Sequence, residues 1–135
     1  MNSIIIYFSL LGHNRRIAEE IAEKENYDLL EFAPGSIFRG FQYLMGKKRL
    51  AKKAKKINVD VANYSEIIIC GPIWGGKPAP SINALLNNLD MKGKNVSCYM
   101  TYTQDYGNSE DIIKDLIQIN SGEVQEIKFN KISKE

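Results

Sequence analysis

Ile67-Ile68-Ile69-Cys70 is an apolar run with no polar alternation. A strand with one wet face alternates, whereas a parallel strand sandwiched between two helix layers does not. A chain that contains such a run has to supply a backbone partner on each edge and packing on both faces. The remaining sequence is organised to do so. Ser3–Phe8, Tyr27–Phe32, Asn95–Thr101 and Glu123–Phe129 read as further strands beside Glu66–Cys70. Between them, Ile17, Ala18, Ile21 and Ala22 form one helical stripe, and Ile82, Leu85, Leu86 and Leu89 another. Ile112, Ile113, Leu116 and Ile117 form a third, with Gly122 as its stop. Segment Gly40–Lys56 reads as a weaker helix whose apolar face (Phe41, Leu44, Met45, Ala51) is thin. Strand and helix thus alternate throughout. That pattern predicts right-handed βαβ units and a five-stranded parallel sheet in a three-layer α/β sandwich. Periodicity does not fix the strand order.

A length of 135 residues predicts a single domain, 1–135. No apolar run approaches the roughly 20 residues that span a bilayer, so no membrane partner is expected. The first strand begins almost at Met1 with no basic leader, which makes the cytoplasm the expected location. Cys70 and Cys98 sit in apolar runs without metal-ligand spacing; two buried thiols and no metal site are expected.

Net charge is +2, but its distribution is uneven. Arg39, Lys47, Lys48, Arg49, Lys52, Lys53, Lys55 and Lys56 crowd one segment, with no acidic residue between Phe32 and Val59. The segment reads either as a solvated helix or as a docking patch for an acidic redox partner or a phosphorylated nicotinamide. Nucleic acid is not an expected partner, because the rest of the body is acidic.

Three strand-to-helix loops should open on one sheet edge, where open α/β proteins bind ligands. Ser9-Leu10-Leu11-Gly12-His13-Asn14 leads into a helix whose unsatisfied N–H groups and positive dipole end suit a phosphate; an ordinary turn capped by Asn14 is the alternative. Gly71-Pro72-Ile73-Trp74-Gly75-Gly76-Lys77-Pro78-Ala79-Pro80 reads as a rigid loop that offers an aromatic surface and bare backbone to a flat heterocycle. Its alternative is a core Trp74 with Pro78 and Pro80 starting the next helix. Thr101-Tyr102-Thr103-Gln104-Asp105-Tyr106-Gly107-Asn108 is long enough to cover a ligand, or is an exposed loop ending in an Asn108 or Ser109 cap.

Tyr7 to Asn14, followed by Ile17-Ala18-Glu19-Glu20-Ile21-Ala22, resembles the phosphate loop of the flavodoxin family. Cys70 to Pro80 resembles that family's second flavin loop, and the likeness runs the length of the chain. The resemblance implies strand order 2-1-3-4-5 and a bound FMN. It places the phosphate on Ser9, Leu10, Leu11, Gly12, His13 and Asn14. It places the isoalloxazine ring on Pro72, Ile73, Trp74, Gly75 and Gly76, with Thr101, Tyr102, Thr103 and Tyr106 along its other edge. A glycine beside the ring would be free to turn its peptide with redox state. The family's phosphate loop usually reads Ser/Thr-x-Thr-Gly-Asn-Thr; here Leu11, His13 and Asn14 depart from it. The lost hydroxyl donor at Leu11 weakens the site by about 1 kcal/mol or somewhat more. The chain lacks room for the segment that splits the last strand of long-chain flavodoxins.

The expected function is FMN-based electron transfer with no catalytic side chain. Two alternatives stand beside it: an FMN-dependent NAD(P)H:quinone-type reductase, and a degenerate flavodoxin-like module without flavin. A receiver domain would need clustered Asp residues at the strand ends, and a low-molecular-weight tyrosine phosphatase a Cys-to-Arg phosphate loop; neither is present. No G-x-G-x-x-G occurs either.

Overall fold

The computed structural model describes residues 2–33 and 47–133. In chain order the elements are β1 (Ser3–Tyr7), α1 (His13–Glu25), β2 (Asp28–Glu31), α2 (Lys47–Lys56) and the single-turn α3 (Asn58–Val61). There follow β3 (Glu66–Trp74), β4 (Lys77–Pro78), α4 (Pro80–Asn88), β5 (Asn95–Tyr102), α5 (Ser109–Ile119) and β6 (Glu123–Lys131). The sheet runs β2-β1-β3-β5-β6 with every neighbour parallel, and β4 folds back antiparallel on the end of β3. With β4 set aside, this is the flavodoxin-like order 2-1-3-4-5.

Every residue of β3 is buried, from Glu66 to Trp74. Its apolar run lies in register with β1 on one edge, Ile67 beside Ile4 and Ile69 beside Ile6, and with β5 on the other. Ile4, Ile6, Phe8, Ile67, Ile69, Val96, Cys98 and Met100 pack against Leu50 and Ala54 of α2, Ile82, Leu85 and Leu86 of α4, and Ile113 and Ile117 of α5. The opposite face holds a smaller core, in which Ile5, Tyr7, Ile68 and Cys70 meet Ala18 of α1.

That second layer is uneven. Among the described residues α1 alone covers this face, and the far strands carry polar side chains there. Tyr99 donates its hydroxyl to Glu126 Oε1 at 2.8 Å, and Lys128 stands 3.6 Å from Glu126 Oε2 and 5.7 Å from the centre of the Tyr99 ring. Tyr99 and Lys128, with Ser97 and Asn130, floor a cavity of about 490 Å³ beside Ile17, Ile21 and Lys24 of α1.

The third strand is longer than its apolar run predicts. It continues past Cys70, pairing Gly71 with Met100 and Pro72 with Thr101. Strand β1 pairs only as far as Cys70, so the N–H that Pro72 lacks falls where one edge of β3 has no ladder to join. Gly71 is where α4 meets the sheet: a Cβ there would collide with the Ile82 side chain. Pro80 occupies the first turn of α4, where its missing N–H is harmless, but Pro78 belongs to β4 and does not start the helix. In the basic segment, Arg39, Phe41, Leu44 and Met45 lie outside the described residues. Helix α2 buries Leu50 and Ala54, while Lys48, Arg49, Lys52, Lys55 and Lys56 are exposed. Among the described residues, none of these five pairs with a carboxylate.

Candidate functional site

The three loops after β1, β3 and β5 leave the C-terminal ends of adjacent parallel strands, as the sequence leads one to expect. In the first, Ser9 Oγ accepts the N–H of Gly12 at 2.9 Å and closes a tight turn. Gly12, at φ 97°, takes the left-handed conformation that feeds α1. No acidic residue stands in the first turn of α1, while Arg15 and Arg16 do. Arg15 is paired with Glu31 at 2.8 Å, which raises its already high pKa. The first N–H groups of α1 have no carbonyl within the helix to bond, so this end favours an anion.

Asn14 does something else. It is 1% exposed, and its Nδ2 donates to Thr101 Oγ1 at 2.9 Å; Thr101 is itself fully buried. Asn14 therefore does not cap α1, where Gly12 holds the cap position, and its side-chain amide is committed to β5. The Thr101 hydroxyl is likewise bonded to the first loop. Around them Leu11 is 60% exposed, Gly12 is exposed, and Ser9, Leu10 and His13 are half-buried.

The second motif is a hairpin. Trp74 pairs with Lys77 and Ile73 with Pro78, leaving Gly75 and Gly76 as a two-residue turn. Both have positive φ, 61° and 79°, as a type I′ turn requires. A Gly-Gly pair between apolar flanks is a recognised hairpin signal, so β4 was within reach of the sequence. Trp74 corrects the expectation of a displayed aromatic. It is 3% exposed, lies within the main core, and meets Phe8 edge to face with ring centres 6.0 Å apart. Pro72 and Ile73 are buried as well, so the hairpin reaches the surface through Gly75, half-buried Gly76 and Lys77.

In the third loop, Asp105 Oδ1 accepts the N–H of Gly107 at 3.0 Å. Tyr106 stacks on Phe129 at 4.1 Å between ring centres, and Tyr102 stands edge-on to Tyr106 at 5.1 Å. Tyr102, Thr103 and Tyr106 are half-buried. Neither Asn108 nor Ser109 caps α5 with its side chain. Instead Ser109 Oγ donates to the carbonyl of Gly76 at 2.9 Å. Sequence reasoning missed this tie, because a Ser at a helix start is read as a local cap.

Two side-chain bonds thus join the three loops in series. Asn14 to Thr101 links the first to the third, and Ser109 to Gly76 links the third to the second. Both cysteines are buried, and burial pushes the Cys70 thiol up to about 12 and raises that of Cys98 further, so neither is a ready nucleophile. Among the described residues, no group of three His, Cys, Asp or Glu side chains is placed to hold a metal.

No protein-family model and no curated protein sequence matches the chain. Solved structures do match its fold. A flavoprotein candidate from Bacteroides eggerthii shares 21% identity with a TM-score of 0.72, over 95% of this chain and 87% of that one. A flavoprotein in complex with FMN from Lactobacillus acidophilus gives 19% and 0.66, over 96% and 93%. A Fusobacterium nucleatum flavodoxin bound to flavin mononucleotide gives 20% and 0.61, over 93% and 70%. The fold is flavodoxin-like.

The loop contacts differ in what their loss should do. Asn14→Ala leaves the buried Thr101 hydroxyl without its partner and is expected to lower unfolding stability by about 1–3 kcal/mol in urea titrations. Leu11→Ser, at an exposed position, is expected to stay within about 0.5 kcal/mol of wild type. Equal effects would contradict the buried bridge.

Proposed function

We propose that this chain binds FMN at the joined loops and acts as a one-domain electron carrier in the cytoplasm. The observation that supports this best is the pair of ties that holds a phosphate-suited helix end and an open glycine turn along one strand edge. The residues fit the cofactor at both ends. At one end are the Gly12 turn, the free first-turn N–H groups of α1 and a first turn free of carboxylates, which suit a phosphate dianion. At the other, Gly75 is open, with nothing within 4 Å of where a Cβ would stand. When bound, the flavin supplies the redox chemistry.

The chain's own residues would bind and orient it. Ser9 and Gly12 hold the shape of the phosphate loop, and the backbone of His13, Asn14 and Arg15 supplies donors. The Gly75-Gly76 backbone would face the ring. Trp74 would act from beneath, anchoring the hairpin in the core against Phe8 instead of stacking as an exposed plate. Tyr102, Thr103 and Tyr106 would border the ring's other edge and limit water there. The exposed cations of α2, which pair with no carboxylate among the described residues, would form part of a docking surface for an acidic redox partner, together with the rest of the Arg39–Lys56 segment.

Titration of the purified protein with FMN is expected to quench flavin fluorescence to saturation. Riboflavin, lacking the phosphate, should bind at least about tenfold more weakly, since each charge-assisted contact is worth about 1.5–3 kcal/mol. Absence of quenching would sink the proposal and favour the module without flavin. Reduction by NADH or NADPH alone would instead favour the reductase.

Charge reversal at Lys48, Arg49 and Lys52 tests the docking surface. It should slow reduction by NADPH and a flavodoxin reductase about tenfold at low salt, with the rates converging in high salt. Unchanged low-salt rates would return α2 to the role of a solvated helix.

A further inference from the structure

The two glycines of the hairpin turn stand in unlike surroundings. Gly76 is gripped from two sides. Ser109, fully buried at the start of α5, donates its hydroxyl to the Gly76 carbonyl at 2.9 Å. Gly107 approaches the same carbonyl so closely that a Cβ on it would stand 2.6 Å from the oxygen and 3.2 Å from the Gly76 Cα. The Asp105 carboxylate fixes the turn that presents Gly107, through its bond to the Gly107 N–H at 3.0 Å. Gly75, one residue away, has nothing within 4 Å of its Cβ position and is exposed. The hairpin tip is therefore anchored at one peptide and free at the next.

We infer that Ser109 is a positioning residue for the ring-facing end of the site. Its hydroxyl fixes the Gly76 carbonyl, and with it the place from which the Gly75 peptide can move. A buried hydroxyl has few alternatives: its donor goes either to this carbonyl or to nothing, and an unmade bond in the interior is costly. Because Ser109 also opens α5, the bond makes the hairpin and the loop of residues 103–108 a single body. A ligand lying between them meets two walls whose spacing Ser109 sets. The positioning of FMN rests on the proposed function above; the coupling of the two loops does not.

Two variants test this, each with a readout that needs no flavin. In the FMN-free protein, Ser109→Ala is expected to speed amide hydrogen exchange at Gly75, Gly76 and Lys77 about five- to tenfold, the loss of one bond. Exchange in β1 and in Ile67–Cys70 should not change. Gly107→Ala, which pushes on the same carbonyl from the other side, should give the same local pattern. In FMN-loaded protein, Ser109→Ala should alter the ratio of affinities for oxidised and reduced FMN, seen as a shifted midpoint potential, while the visible spectrum still reports a bound flavin. Hairpin exchange unchanged in both variants would overturn the inference, as would a potential equal to wild type with flavin bound. If wild type takes up no FMN, the exchange measurement alone still decides whether Ser109 couples the loops.

Discussion

Strand β3 has no solvent face along any of its nine residues. Such a strand is stable only if each backbone edge finds a ladder and each face a packed layer, because a buried unpaired peptide group carries a penalty of about 1–3 kcal/mol. This requirement draws β1 and β5 to its two edges, and α4 and α1 to its two faces. It also governs where the chain can do chemistry. The strands end together, and the loops that follow β1, β3 and β5 have nowhere to emerge except along one rim. Burial of β3 runs on through Trp74, so the hairpin that tips it is rooted in the core. The turn of two glycines is thereby carried on a buried stem.

The two faces of the sheet carry different loads. Leu, Ile and Ala side chains from three helices fill one side, and among the described residues one helix covers part of the other. Where α1 stops, the strands change composition: Ser97, Tyr99, Glu126, Lys128 and Asn130 replace the aliphatic residues. Tyr99 shows the compromise. Its hydroxyl bonds to Glu126, and partial burial, followed by that carboxylate, raises its pKa. The polar pattern keeps this face wettable where, among the described residues, no second helix stands beside α1.

Much of the architecture was legible because it depends on period and run length. The uninterrupted Ile67–Cys70 run, the stripes of Ile82, Leu85, Leu86 and Leu89, and the five-strand alternation all survive in the structure. What the sequence left open or misjudged depends on the direction of individual side chains. Trp74 between prolines and glycines suggests display, but strand alternation turned it inward against Phe8. Asn14 near a helix start suggests a cap, but a buried hydroxyl on β5 claims its amide. Ser109 suggests a cap for the same reason, and a carbonyl 33 positions earlier claims it. Contacts between residues so far apart in sequence leave no local trace. The Gly75-Gly76 turn was the exception: its dipeptide did carry the hairpin signal.

Three separate loops can work as the proposed FMN site only if they keep their spacing, and the Asn14–Thr101 and Ser109–Gly76 bonds tie them together. Backbone amide chemical shifts of isotope-labelled protein, followed as FMN is added, test that claim most directly. The account predicts that His13, Asn14 and Arg15, Gly75 and Gly76, and residues 103–107 shift together along one binding curve. Shifts confined to the polar sheet face around Glu66, Ser97 and Tyr99, or loops that respond on separate curves, would contradict it.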